Sequence, residues 1–320
     1  MKSLVAIAGI GLVAAGPLFA QAPAAKPTMP QVCTNCHQAK PANLQGYFEN
    51  VAFKSKSIQL KIDAATEIVR FDEGTLKVVT TEKTGKADML RDVPKGREAR
   101  IEFVEKDGVK TATLISFKGA AKMPPEKELK YEQVLALVEQ GKASNTVLID
   151  SRPLPRFQEG TIPGAINLPY PAWDKFVDRL PKDKKQAIVF FCQGVTCMMS
   201  PNSLRNAEKM GYTNVKVYPG GVPEWLEKNV GVLSSSFLQE AWIGKDIPHA
   251  LVDVRPASTV ARDGFIPGAV NVPVSQIPAA LATLPPAKMK APIMVYDSDG
   301  GNAALYAARL IQGFGQVNVN

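Results

Sequence analysis

Between Tyr47 and Phe117 hydrophobic and polar positions alternate in short runs. Ser57-Ile-Gln-Leu-Lys-Ile62, Glu67-Ile-Val-Arg-Phe71, Arg100-Ile-Glu-Phe-Val104 and Thr111-Ala-Thr-Leu-Ile115 carry the two-residue period of half-buried strands. Asp72-Glu-Gly74, Thr84-Gly85 and Asp107-Gly108 read as the turns between them. Residues 47–118 are therefore expected to form a small all-β module, a barrel or a sandwich. After a linker from Gly119 to Glu126, which contains Pro124-Pro125, the pattern changes. Tyr131 to Val138 reads as an amphipathic helix ending near Gly141. Val147-Leu-Ile-Asp150 and Ala187-Ile-Val-Phe-Phe191 are apolar on both faces, as the strands of a covered parallel sheet are. The predicted fold class is multidomain: a small all-β module, then α/β modules built on central parallel sheets.

The α/β part repeats itself. Leu148-Ile-Asp-Ser-Arg-Pro153 returns as Leu251-Val-Asp-Val-Arg-Pro256. Gly160-Thr-Ile-Pro-Gly-Ala-Ile-Asn167 returns as Gly264-Phe-Ile-Pro-Gly-Ala-Val-Asn271, and Ile188-Val-Phe-Phe-Cys192 as Ile293-Met-Val-Tyr-Asp297. Gly211-Tyr212 and Gly220-Gly-Val-Pro-Glu-Trp225 complete the first copy. In this order the elements resemble the rhodanese (sulfurtransferase) family over roughly the C-terminal three-fifths of the chain. The resemblance implies two rhodanese-like modules, at 127–232 and 235–320. The first carries a cysteine where the family forms a persulfide. The second has Asp297 there, which has no sulfur to load, so the resemblance implies an inert module that is short at its C-terminal end.

Residues around Cys192 lead to the same site by physical reasoning. Phe191 ends a buried strand, Ser200 suits a helix N-cap and Pro201 the first helical position. Leu204, Ala207 and Met210 then recur on one face, and Gly211 closes the helix. The intervening loop, Cys192-Gln193-Gly194-Val195-Thr196-Cys197, lies between a strand's C-terminal end and a helix N-terminus, where amides and the helix dipole favour an anion. A cysteine there is expected to have a lowered pKa and to act as a nucleophile that holds a sulfane sulfur. Cys192 is the expected acceptor and Cys197 the resolving thiol, with Gln193, Gly194, Val195 and Thr196 as the substrate-binding loop. The alternative for the pair is a structural disulfide or an inert buried thiol. The loop is about two residues longer than the usual family pattern and has no arginine, which argues against phosphatase chemistry.

Length and charge refine this picture. A chain of 320 residues suits several domains. The net charge of +8 is spread among acidic residues, with no basic run and no aromatic–basic stripe, so no nucleic-acid partner is expected. It supports at most a mild attraction for small sulfur-containing anions such as thiosulfate or polysulfide. Residues 1–22 read as a signal peptide, with Lys2, the apolar run Leu4 to Val13 and a small-residue cleavage site near Ala20 to Ala22. The expected location is the periplasm; an uncleaved N-terminal anchor is the alternative.

Residues 23–46 read as a linker carrying Cys33-Thr-Asn-Cys36-His37. Cys-x-x-Cys-His is the attachment signature of c-type haem: Cys33 and Cys36 would bond the vinyl groups and His37 the iron. The alternative is a surface disulfide with an incidental histidine. The leading functional reading is a periplasmic sulfurtransferase or sulfur carrier with attached haem and a periplasmic redox partner. Two others stay open: a thiol–disulfide redox protein using Cys192 and Cys197, and a non-enzymatic electron-transfer or binding protein.

Overall fold

The computed structural model describes residues 41–62, 65–281, 284–285, 291–298, 302–314 and 319. The expected signal peptide, and Cys33, Cys36 and His37 with the haem expected on them, lie outside the described residues. Among those described, no helix is long and apolar enough to cross a membrane.

The first unit is a single closed sheet. Its strands are β1 (Asn43–Ala52), β2 (Ser57–Ile62), β3 (Ala65–Phe71), β4 (Lys77–Val79), β5 (Thr84–Gly85), β6 (Glu98–Lys106) and β7 (Val109–Phe117). They lie in the order β3-β2-β1-β6-β7-β4-β5, and β3 also pairs with β7. The β3–β7 pairing is parallel, whereas β1–β2, β2–β3, β1–β6 and β6–β7 are antiparallel. This is the five-stranded Greek-key barrel of the OB type, with β4 and β5 continuing along β7. Alternate residues fill it: Ile58, Leu60, Val69, Ile101 and Ile115 are fully buried, and the 3-10 helix Ala87–Asp92 adds Ala87, Met89 and Leu90 to the same core. Asp107 and Gly108 both have positive φ, as a two-residue hairpin turn between twisted strands requires.

Two features differ from the sequence pattern. β1 starts at Asn43, four residues before the alternation becomes visible, because one of its inward positions is Gly46. No side chain fits there: a Cβ would overlap the Lys61 carbonyl of β2. Thr84-Gly85, read as a turn, is the edge strand β5 paired with Val78 and Val79.

The next unit layers helices on a parallel sheet. It contains α1 (Tyr131–Gln140), β8 (Thr146–Asp150), α2 (Leu154–Glu159), β9 (Ile166–Asn167), α3 (Trp173–Phe176), β10 (Ala187–Phe191), α4 (Met199–Lys209), β11 (Val215–Tyr218) and α5 (Gly221–Lys228). The sheet order is β11-β10-β8-β9, with every pairing parallel. Its central strand β10 is buried on both faces: Ile188 and Phe190 join one core, Val189 and Phe191 the other. Trp225 of α5 is wholly buried, and its indole N–H donates to the Val230 carbonyl at 2.8 Å. The segment that follows the linker is fastened to the sheet and to α4. Lys127 pairs with Glu208 at 2.8 Å, and Leu129 N–H donates to the Val217 carbonyl.

The last unit repeats that plan with α6 (Ser235–Phe237), β12 (Ala250–Asp253), α7 (Ala257–Asp263), β13 (Val270–Asn271), α8 (Ile277–Ala280), β14 (Ile293–Tyr296) and α9 (Asn302–Gly313). Its parallel sheet runs β13-β12-β14, and Val319 bridges to Ile293 where Val215 pairs with Ile188 in the first copy. Arg309 of α9 donates to the Asn229 side chain at 3.1 Å, so the two copies touch.

Candidate functional site

The cysteine loop leaves β10 at Phe191 and enters α4 at Met199. Three contacts hold its backbone in shape. Cys197 N–H donates to the Gly194 carbonyl at 2.9 Å, and Val222 N–H donates to the Cys192 carbonyl at 3.0 Å. Ala121 N–H, from the linker that follows the barrel, donates to the Val195 carbonyl at 2.8 Å. Gly194 has φ of +98°, which favours glycine. Gly221 sits against the loop so closely that a Cβ there would overlap the Cys192 carbonyl.

The start of α4 differs from expectation. The helix begins at Met199 with Met198 as its N-cap, so Ser200 does not cap it. Its hydroxyl instead lies 3.1 Å from Cys192 Sγ. Met210 is exposed rather than part of the buried stripe, whereas Leu204 and Ala207 are buried. Gly211 ends the helix with φ of +90°. Tyr212 N–H reaches the Ala207 carbonyl and Gly211 N–H the Glu208 carbonyl, the paired bonds of a Schellman motif.

Both loop cysteines are free thiols and both are buried, Cys192 to 1% exposure and Cys197 to 8%. Their acidities are opposite to the sequence expectation for Cys192. Burial pushes the Cys192 thiol up, reinforced by its hydrogen bond and proximity to Cys197. Cys197 is brought down to about 6, first by the hydrogen bond from Cys192, then by the backbone amides of Gln193 and Met199 and the charge of Lys118, against the opposing effect of burial. The amides of Gln193 and Met199 favour a thiolate at Cys197, while Cys192 Sγ lies against the Cys197 carbonyl at 3.5 Å and the Ser200 hydroxyl. Carbamidomethylation of Cys197 should therefore rise with pH around a midpoint near 6. Cys192→Ala removes the donor, so the thiolate is less favoured and the midpoint should move up. An unchanged midpoint would deny the donor role.

Of the other loop residues, Thr196 is buried, Gln193 is half-buried and Val195 is exposed. Gln193 is the point where the loop meets a polar network. Arg152 donates through Nη1 to Gln193 Oε1 at 3.2 Å, through Nε and Nη2 to both Asp150 carboxylate oxygens, and through Nη2 to the Gly160 carbonyl. Thr161 adds a bond to Asp150 at 2.8 Å, and Asn167 ties together the carbonyls of Asp150 and Arg152. Asp150 and Arg152 are both buried. The motif repeats in the second copy, which gives it a purely structural look in the sequence; its reach to Gln193 exists only in the first.

The barrel also bears on the loop. Lys118 follows directly on β7, and its charge is among those lowering the Cys197 pKa. Tyr47 of β1 is pushed up to about 12 by burial and by Glu98, with Arg156 of α2 opposing and both loop cysteines adding smaller effects. Nothing in the spacing of either residue announces this, because it arises from packing between separate units. Among the described residues no cluster of His, Cys, Asp or Glu is arranged to hold a metal ion.

A buried parallel strand opening at its C-terminal end into a loop that a helix receives is present here in two copies, and the first copy carries a cysteine at the strand end. The family model of the rhodanese-like domain matches residues 130–228 and 238–319, more than half of the chain, and the protein belongs to that family. The chain is 36% identical over 89 residues to the HTH-type transcriptional regulator Rv0324 of Mycobacterium tuberculosis, covering 28% of this chain and 38% of that protein. It thus spans about two fifths of that relative's length. It is 31% identical over 108 residues to the thiosulfate:glutathione sulfurtransferase of Homo sapiens, covering 30% of this chain and 90% of that protein. Among solved structures it is similar to the thiosulfate sulfurtransferase from Pseudomonas aeruginosa, at 22% identity and a TM-score of 0.28, over 60% of this chain and 42% of the other.

Proposed function

We propose that the first rhodanese-like module is a sulfurtransferase that carries a sulfane sulfur as a cysteine persulfide on the Cys192/Cys197 pair. The observation that carries this reading is the placement of two buried free thiols in one loop between β10 and α4, with Cys192 Sγ 3.5 Å from the Cys197 carbonyl and 3.1 Å from the Ser200 hydroxyl. In this reading the Cys197 thiolate attacks the outer sulfur of a donor such as thiosulfate. The donor's S–S bond breaks, sulfite leaves with the electron pair, and a Cys197 persulfide remains. The same amides that lower the thiol pKa suit the persulfide anion.

Two exits follow. An external thiolate or cyanide takes the outer sulfur and restores the Cys197 thiolate. Otherwise Cys192 gives up its proton and attacks the inner sulfur. A Cys192–Cys197 disulfide forms, and hydrosulfide leaves with the electron pair and the proton. An external dithiol then reduces the disulfide. The small-anion donor finds support in the human relative, named for thiosulfate and glutathione. The second module takes no sulfur, since Asp297 follows β14 where a cysteine would be needed.

A transfer assay from thiosulfate to cyanide with the full chain tests the reading. Steady turnover is expected from the wild type and none from a Cys192→Ala/Cys197→Ala double variant that melts at the same temperature. Equal turnover by the folded double variant would remove the pair from the chemistry.

A further inference from the structure

The segment that joins the barrel to the first rhodanese-like module grips both. At its start Lys118 is held to the barrel. Its N–H donates to the Glu98 carbonyl at 3.0 Å, its ammonium pairs with the Glu98 carboxylate at 2.9 Å, and Arg97 donates to its carbonyl at 3.1 Å. Gly119 follows with no room for a side chain, since a Cβ there would overlap the methyl of Thr81 between β4 and β5. Further on, Met123 packs against the α/β core that contains Ile188, Phe190 and Leu204. Between these anchors Ala121 N–H donates to the Val195 carbonyl at 2.8 Å. Residues 118–123 are thus a strap, fixed to the barrel at one end and to the α/β core at the other, whose middle touches the cysteine loop.

The point of contact gives the strap its leverage. Val222 on the Cys192 carbonyl and Arg152 on the Gln193 side chain hold the start of the loop from within the module. Ala121 holds its tip from outside. Gly194 to Cys197 close into a turn through the Cys197 N–H, and the Val195 carbonyl belongs to the central peptide of that turn. The bond from Ala121 therefore fixes how the turn is inclined to α4. Cys197 moves with the turn, whereas Met199 starts α4 and stays with the module. We infer that the barrel acts on the sulfur chemistry through this strap: Ala121 is a positioning residue whose amide holds the loop tip, and Cys197 with it, in the shape the nucleophile needs. This role rests on the reading of Cys197 as the sulfur acceptor. The charges agree with it. Lys118 at the barrel end of the strap helps to lower the Cys197 pKa, and Tyr47 of β1 feels both loop cysteines.

Two variants of the full chain test this. Ala121→Pro deletes the N–H that reaches Val195. Gly119→Val keeps that N–H but forces the strap away from Thr81. Melting curves establish that both fold. The first readout is carbamidomethylation of Cys197 against pH, which a bond of purely structural value would not move. Its midpoint, near 6 in the wild type, should rise by at least about half a pH unit in Ala121→Pro. The second is single-turnover release of sulfite from thiosulfate, which should slow about three- to tenfold, the effect of losing one hydrogen bond. Gly119→Val should move both in the same directions. An unchanged midpoint in both folded variants would overturn the proposal. So would faster sulfite release, which would make the strap a lid instead. If the wild type itself releases no sulfite, the sulfurtransferase reading fails, and the alkylation midpoint alone decides whether the strap positions Cys197.

Discussion

Cys197→Ser is expected to reduce sulfur transfer by at least about a hundredfold, because an alcohol near neutral pH supplies neither the thiolate nor a sulfur that can hold a persulfide. Cys192→Ser should behave differently. Its hydroxyl retains a donor to Cys197, so loading from the sulfane donor should persist within about tenfold of wild type. Release of hydrosulfide through a disulfide should be lost, since no second sulfur remains, and the loaded form should live longer. Single-turnover measurement of sulfite release and hydrosulfide release separates the two steps. If both variants lose loading equally, the thiols act as one unit and the division of labour fails.

Arg152→Ala carries the largest expected cost to stability. Asp150 is wholly inaccessible and its carboxylate is bound by the Arg152 fork and by Thr161. Removing the guanidinium leaves a buried carboxylate without its counter-ion and leaves the Gly160 carbonyl without its donor. Breaking one partner of a buried pair costs about 3–5 kcal/mol. Urea unfolding of the full chain should show the loss in the transition of the first rhodanese-like module. Arg152→Lys should recover only part of it, since an ammonium cannot bind both carboxylate oxygens and Gly160 at once in the same fork. The variant should also loosen Gln193 and slow sulfur loading beyond what stability explains. A change below about 1 kcal/mol would mean that water or another group replaces the fork.

The sequence made the repeated α/β plan legible for a physical reason. Strands such as Ala187–Phe191 are buried on both faces and read as unbroken apolar runs, and the repeated Asp-x-Arg and Gly-x-Ile-Pro-Gly elements mark the same backbone positions twice. The loop between strand and helix was equally legible, because Gly194 and the Pro201 region interrupt both periodicities. What stayed hidden depends on contacts between distant segments. Ser200 reads as a helix cap from its neighbours alone, yet its hydroxyl is turned to Cys192. Arg152 looks structural because it recurs as Arg255, and only the fold brings Gln193 to it. The acidities of the two thiols depend on a related cause. Position at a strand end marks which cysteine enters the loop, but burial and amide direction decide which one is ionised, and neither is written in the local spacing. β1 escaped in part because Gly46 blanks one inward position of its alternation.

The central claim is that the loop works as a divided pair, with sulfur landing on Cys197 and Cys192 serving as proton donor and resolving thiol. Peptide mass mapping after a brief exposure of the reduced full chain to a sulfane donor, followed by rapid alkylation, tests it most directly. The account predicts one added sulfur on Cys197, kept in Cys192→Ser and absent from Cys197→Ser. An adduct mapped to Cys192, retained in Cys197→Ser and lost in Cys192→Ser, would contradict it.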